Sequence, residues 1–346
     1  KKAQKKRLDA LEKDSLTRWR VTDREKENWV MYDRFEAASD RLIHKTNTAE
    51  TSWHIVEGED PNYRTIAVAR TVLNEMRQRL SVKSVKATAV PSFVSSDQEP
   101  AINVLRQLDL NQNLVKKDYK VQLEKYQGRL NRLALEAHQS GLSTVLIFEG
   151  ADAAGKGGAI RRLVAALNAH QYKVIQIAAP TDEEKARHYM WRFWRHLPRA
   201  GFITLFDRSW YGRVLVERIE NFATETEWKR AYAEINDFEE QLVESNMVVV
   251  KFWIHISKEE QLKRFSAREN TPYKRWKITD EDWRNRDRWD EYEDAVDDMV
   301  QLTSTAAAPW TLVEGNNKRF ARIKVLKTCY HFLEEALSRK KKKKKA

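Results

Sequence analysis

In the second half of the chain, apolar positions fall into short continuous runs separated by long charged stretches of helical period. Thr144-Val145-Leu146-Ile147-Phe148 is one such run, apolar and β-prone throughout, as a parallel strand covered on both faces requires. Residues 173–178, 202–206, 247–256 and 310–313 repeat the pattern. Before the first run, Tyr119, Leu123, Tyr126, Leu130 and Leu133 recur near helical spacing, which predicts an amphipathic helix over residues 116–138. Strands alternating with helices predict an α/β fold in which crossover helices cover a five-stranded parallel sheet, a three-layer sandwich.

A second pattern is larger. Residues 19–58 align without gaps to residues 276–315 at a constant offset of 257, with fifteen identities in forty positions. Among them are Trp19 and Trp276, Asn28 and Asn285, Asp40 and Asp297, and Gly58 and Gly315. Chance supplies about two or three identities at ordinary residue frequencies. A period this long implies duplication of a whole domain rather than a solenoid. Four segments are therefore expected: residues 1–80 as the C-terminal part of a first copy, 81–108 as a linker, 109–338 as a complete second copy, and 339–346 as a basic tail. The first copy is expected to extend upstream of residue 1, because the phosphate-binding loop of the second copy has no counterpart in it. Ser81 to Pro100 is small, polar and Pro-containing, which is linker composition.

Composition refines this picture. With 346 residues the chain exceeds the ~100–200 of one ordinary domain. Apolar residues at 41% suit a folded rather than a disordered protein. The lone Cys329 excludes an intramolecular disulfide and a cysteine metal cage within one chain, and a reducing, cytoplasmic setting is expected. No apolar run is long enough for a membrane span, and no membrane partner is expected. Of the net charge of +12, Arg339 and Lys340 to Lys345 supply seven, in a like-charge run expected to stay disordered. The remaining excess favours a polyanionic partner.

The first strand of the second copy runs into Gly150-Ala151-Asp152-Ala153-Ala154-Gly155-Lys156-Gly157-Gly158, followed by residues of helical character. Strand, glycine loop, lysine and helix make a P-loop. Its glycines let consecutive backbone N–H groups from Ala153 to Gly158 point inward at phosphate, and Lys156 reaches the phosphate oxygens. Gly157 replaces the usual Ser or Thr that holds Mg²⁺, so Asp152 becomes the candidate ligand from within the loop. The third strand ends in Asp207, placing a second carboxylate at the same sheet edge, for Mg²⁺ ligation or for capping the following helix. Arg208 and Arg213 follow and suit a charged transition state. The histidines have no metal-site spacing. The aromatic cluster from Tyr189 to His196 fits core packing better than a base-stacking platform.

Gly150 to Gly158, Trp191 to Gly201, Asp207 to Arg213 and Arg275 to Asp280 together resemble the polyphosphate kinase 2 family, in particular its two-domain, AMP-accepting branch. The resemblance implies a P-loop kinase-like fold with a helical lid. It implies in-line transfer of the terminal phosphoryl group of inorganic polyphosphate to AMP, giving ADP, with Mg²⁺ as cofactor. Lys156 would grip phosphate, Asp152 and Asp207 would organise Mg²⁺ or the attacking oxygen, and Arg208 would neutralise developing charge. Gly212 stands where the branch using nucleoside diphosphates tends to carry Asn. Residues 258–277 correspond to the lid, with Lys263, Arg264 and Arg268 as its phosphate-facing candidates; a solvated basic helix face is the other reading. No nucleic acid partner is expected, and a homo-oligomer or a pseudo-dimer through the duplicated domain is. Two other functions remain open at this stage: an ATP-dependent nucleotide kinase on the same fold, and a P-loop module that binds polyanions without chemistry.

Overall fold

The computed structural model describes residues 1–15, 17–18, 21–49, 51–81 and 103–345, with side chains to Lys342; Trp19 and most of the expected linker lie outside them. The chain divides into two compact units, Lys1–Ala89 and Val90–Ala346.

Among the described residues the first unit contains four α-helices: α1 (Lys2–Lys13), α2 (Asp23–Val30), α3 (Tyr32–Thr46) and α4 (Pro61–Ser81). None of them contains a fully buried residue. Thr22 starts α2 through a capping box with Glu25, an arrangement that satisfies the free N–H groups of the first turn.

In the second unit, α5 (Lys116–Gln139) leads into β1 (Ser143–Gly150) and α6 (Lys156–Val164). Next come β2 (Tyr172–Gln176), the short helices α7 (Asp182–Lys185) and α8 (Trp191–Trp194), and β3 (Ile203–Asp207). A 3₁₀ turn at Trp210–Val214 precedes α9 (Val216–Ile219), α10 (Glu225–Glu244) and β4 (Met247–His255). The rest of the unit is α11 (Lys258–Glu269), a 3₁₀ turn at Pro272–Lys277, α12 (Asp280–Asp287), α13 (Trp289–Thr303), β5 (Trp310–Glu314) and α14 (Lys318–Lys345). The five strands are all parallel, in the order β2-β3-β1-β4-β5, as the apolar runs predict. Helices α2 and α3 begin and end at the same 257-residue offset from α12 and α13, and Thr279 opens α12 with a capping box of its own.

The central strands are buried on both faces, and each face has its own core. Leu146, Phe148, Val250 and Phe252 pack with Leu130 of α5, Ile160 and Leu163 of α6 and Leu326 and Leu333 of α14. On the opposite face Val145, Ile147, Val249 and Trp253 pack with Ile235 and Phe238 of α10 and Val296 and Met299 of α13. Two sequence expectations are corrected here. Residues 103–108, assigned to the linker, belong to the folded unit: Leu105 is buried in the second core, and the Val104 N–H donates to Asp297 Oδ1 at 2.7 Å. The basic tail does not stay disordered; α14 continues through it, with Lys340 Nζ on the Ser140 carbonyl (2.5 Å) and Lys341 paired to Glu136 (2.6 Å). Partners on α5 and at its C-cap offset the repulsion that the run's own charges impose. Among the described residues, no helix is long and apolar enough to cross a membrane.

Candidate active site

Between β1 and α6 the backbone reverses within six residues, and two glycines make the turn possible. Gly150 has φ +151°, and a Cβ there would lie 2.5 Å from the Ile254 carbonyl oxygen of β4. Gly155 caps α6 at φ +115°. Ala153, between them, also takes a positive φ of 61°, a conformation a non-glycine residue seldom adopts. The loop is held from outside by Arg264 of α11, whose NH1 donates to the carbonyls of Ala153 (3.0 Å) and Ala154 (2.8 Å). Its NH2 donates to the carbonyls of Gly315 (2.7 Å) and Asn316 (3.0 Å), and its Nε to Glu260 (2.7 Å). Lys156 Nζ donates to the Gly150 carbonyl (2.5 Å) and lies 3.5 Å from that of Ala151, so the ammonium group sits over the cradle.

The loop carboxylate Asp152 has two side-chain partners. Asn285 Nδ2 of α12 donates to Oδ2 at 2.8 Å, and an Arg208 guanidinium nitrogen lies 3.4 Å from Oδ1. Tyr292 of α13 donates to Asn285 Oδ1 (3.0 Å) and orients that amide. Arg208 also reaches Glu281 at 3.5 Å. Burial opposes its charge, but the carboxylates of Asp152 and Glu281 outweigh that effect and hold its pKa above the usual value. Asp207 ends β3 in register with Phe148, at the sheet edge where the P-loop begins. Beneath the loop, Glu149 is buried and accepts a hydrogen bond from Ser209 Oγ (2.8 Å). Burial pushes its carboxyl pKa up, against the pull of Lys156 and Ser209.

Asp152, Lys156 and Arg208 border one cavity of about 100 Å³. The rest of its lining is largely apolar and aromatic and includes Leu215, Val216, Trp253, Trp289, Tyr292 and Val296. Two polar atoms there, Trp253 Nε1 and His255 Nδ1, are buried without a hydrogen-bond partner. Burial lowers the His255 pKa to about 4, so the ring is neutral at physiological pH.

The family model for polyphosphate kinase 2 matches residues 1–84 and 113–344. The chain belongs to the polyphosphate kinase 2 family. It is 51% identical over 99% of its length to a polyphosphate:AMP phosphotransferase of Pseudomonas aeruginosa, and 48% identical, also over 99%, to one of Pseudomonas syringae. It spans 69% of the length of each of these two relatives. A crystal structure described as polyphosphate kinase 2 from Pseudomonas aeruginosa superposes with a TM-score of 0.79 at 51% identity, covering 89% of this chain and 62% of that one.

Within this polyphosphate kinase 2 fold the remaining candidates are dispersed. Arg264 is corrected from an open lid residue to a buried strut: its N–H groups point at carbonyls and at Glu260, leaving none directed at phosphate. Lys263 is exposed on the outer side of α11, and half-buried Arg268 donates to the Lys277 carbonyl at 3.4 Å. Arg213 lies on the far side of the 3₁₀ turn, paired with Glu217 (3.1 Å) and stacked over the Tyr189 ring. In the aromatic cluster, Phe193 is core, while Trp191 lies beneath the guanidinium groups of Arg187 and Arg195. Asn285 and Tyr292 were not found from the sequence. The one signal available for Asn285 was its match to Asn28 in the repeat.

Proposed function

We propose that this chain transfers the terminal phosphoryl group of inorganic polyphosphate to AMP, yielding ADP and a polyphosphate shortened by one unit. The observation that carries the reading is the shared cavity. Its polar lining presents Lys156, Asp152 and Arg208 to phosphate, and its aromatic lining suits a flat nucleobase. Both close relatives are named for this reaction.

An AMP phosphate oxygen attacks the terminal phosphorus in line, the bridging P–O bond breaks, and the shortened chain leaves with the bond electrons. The attacking oxygen carries its own negative charge at neutral pH, since a phosphate monoester loses its second proton near pH 6. No general base is needed, and Asp152 is free to act on positioning. Lys156 turns from the Gly150 carbonyl onto phosphate, and Arg208 neutralises charge as it spreads over the migrating group.

Asp152 and Asp207 would hold Mg²⁺. Among the described residues no group of three or more His, Cys, Asp or Glu side chains is arranged to enclose a metal. Two carboxylates at a phosphate cradle nevertheless fit Mg²⁺, which keeps several waters and completes its shell with substrate oxygens. When bound, the ion would offset phosphate charge. Lys263, Arg268 and the exposed basic turn at Pro272–Lys277 form the lid-side electrostatic field, and Arg213 grips phosphates further from the reacting centre. Residues 103–345 act as the kinase unit, and residues 1–80 repeat part of it. The setting is the cytoplasm.

The test is incubation of the folded protein with AMP, polyphosphate and Mg²⁺ in the absence of ATP, with nucleotides resolved chromatographically. ADP accumulating in proportion to polyphosphate consumed is expected. No ADP with polyphosphate, but ADP with ATP as donor, would overturn the reading in favour of an ATP-dependent kinase.

A further inference from the structure

The turn that follows β3 carries Arg208 in an unusual backbone state. Arg208 has φ +67°, in the left-handed region that costs a residue with a Cβ about 1–2 kcal/mol. Such a conformation persists at a functional site only where its surroundings over-determine it. Two anchors are visible. On the loop side, the Arg208 N–H donates to the Phe148 carbonyl (3.1 Å), and Ser209 Oγ donates to Glu149.

On the other side lies a buried polar network that the transfer chemistry does not use. Trp210 and Tyr211, two and three residues after Arg208, are both fully buried, and both donate to Glu239 Oε1 of α10, at 3.1 and 2.8 Å. Lys251 of β4, likewise fully buried, donates to Glu239 Oε2 (2.6 Å), to the Tyr211 hydroxyl (2.8 Å) and to the Thr303 carbonyl at the end of α13 (2.7 Å). All three ammonium protons and both carboxylate oxygens are therefore used.

A buried ion pair is a weak source of stability, because desolvation of two charges offsets most of their attraction, and apolar residues of similar volume often serve as well. What this pair supplies is direction. It fixes where the indole N–H and the phenol O–H must point, and those side chains open the 3₁₀ turn that Ser209 caps and Arg208 precedes. We infer that Glu239 and Lys251 are positioning residues for Arg208, holding the turn so that its strained backbone is kept and its guanidinium stays at the P-loop. The inference rests on the proposed role of Arg208 at phosphate.

Tyr211→Phe tests it by removing one hydroxyl and leaving the ring, and Glu239→Leu with Lys251→Met replaces the pair by apolar groups. Each is compared with its counterpart in an Arg208→Ala background, reading melting temperature, kcat, KM for AMP, and tripolyphosphate affinity by calorimetry. The expected result is a folded Tyr211→Phe protein in which kcat and tripolyphosphate affinity fall about tenfold at unchanged KM for AMP, with no further loss once Arg208 is absent, as coupled residues behave. The double replacement is expected to follow the same pattern, and the single hydroxyl deletion decides the matter where that protein does not fold. Wild-type kcat and affinity in a folded Tyr211→Phe protein would overturn the inference, as would losses of equal size with and without Arg208. A wild-type protein that binds tripolyphosphate but makes no ADP would instead overturn the proposed reaction, and the affinity coupling would still decide the role of Glu239 and Lys251.

Discussion

Lys156 and Asp152 perform different tasks at the same phosphate, and their replacement separates those tasks. Lys156→Ala removes a charge that the migrating group meets directly, and kcat is expected to fall roughly 10²–10³-fold. Asp152→Asn keeps a side chain that can still bond Asn285 but loses the charge that faces Arg208 and Mg²⁺. Its activity is expected to fall with a steeper dependence on Mg²⁺ concentration, measured by steady-state titration. His255 gives a pH signature in stability rather than rate. Its folded pKa of about 4 lies below the ordinary 6.5, so only the unfolded chain takes up a proton as pH falls below about 6.5. The folded state therefore loses stability between about pH 6.5 and 4, by about 2 kcal/mol at pH 5. Urea unfolding at pH 7.5 and pH 5 is expected to show that loss, and a His255→Gln protein is expected to show less of it.

The P-loop was legible as an element because its chemistry is local: Gly150, Gly155 and Lys156 are constrained by neighbours within a few residues. Gly150→Ala is expected to destabilise the second unit by at least about 2 kcal/mol, since its Cβ would meet the β4 backbone in a strained conformation. The helix α11 was harder to read. Lys263, Arg264 and Arg268 share a basic run that looks alike at every position, yet Arg264 turns inward to bind four carbonyls of two loops. Arg264→Ala leaves those acceptors unpaired and is expected to cost about 3 kcal/mol in denaturant unfolding, whereas Lys263→Ala changes stability little. Arg264→Lys is expected to rescue poorly, because one ammonium cannot span carbonyls set out for a planar fork.

At the scale of the whole molecule the two units differ in how much they bury. The second has a core on each face of its sheet, while the four helices of the first contain no fully buried residue. Hydrogen exchange is expected to reflect this, with amides of α2 and α3 exchanging well before those of β1 and β4. Similar protection in both units would contradict that ranking. The sequence by itself determined the alternation of strands and helices, the phosphate loop and the duplication, because each is a pattern of spacing that neighbouring residues enforce. Only the tertiary structure decided that Asn285, held by Tyr292, reaches Asp152, that Arg264 faces the loop, and that Lys251 pairs with Glu239 under Tyr211. Those pairings join residues from distant parts of the chain, and a polar side chain takes its partner from whatever donors and acceptors the packed helices bring within hydrogen-bond reach.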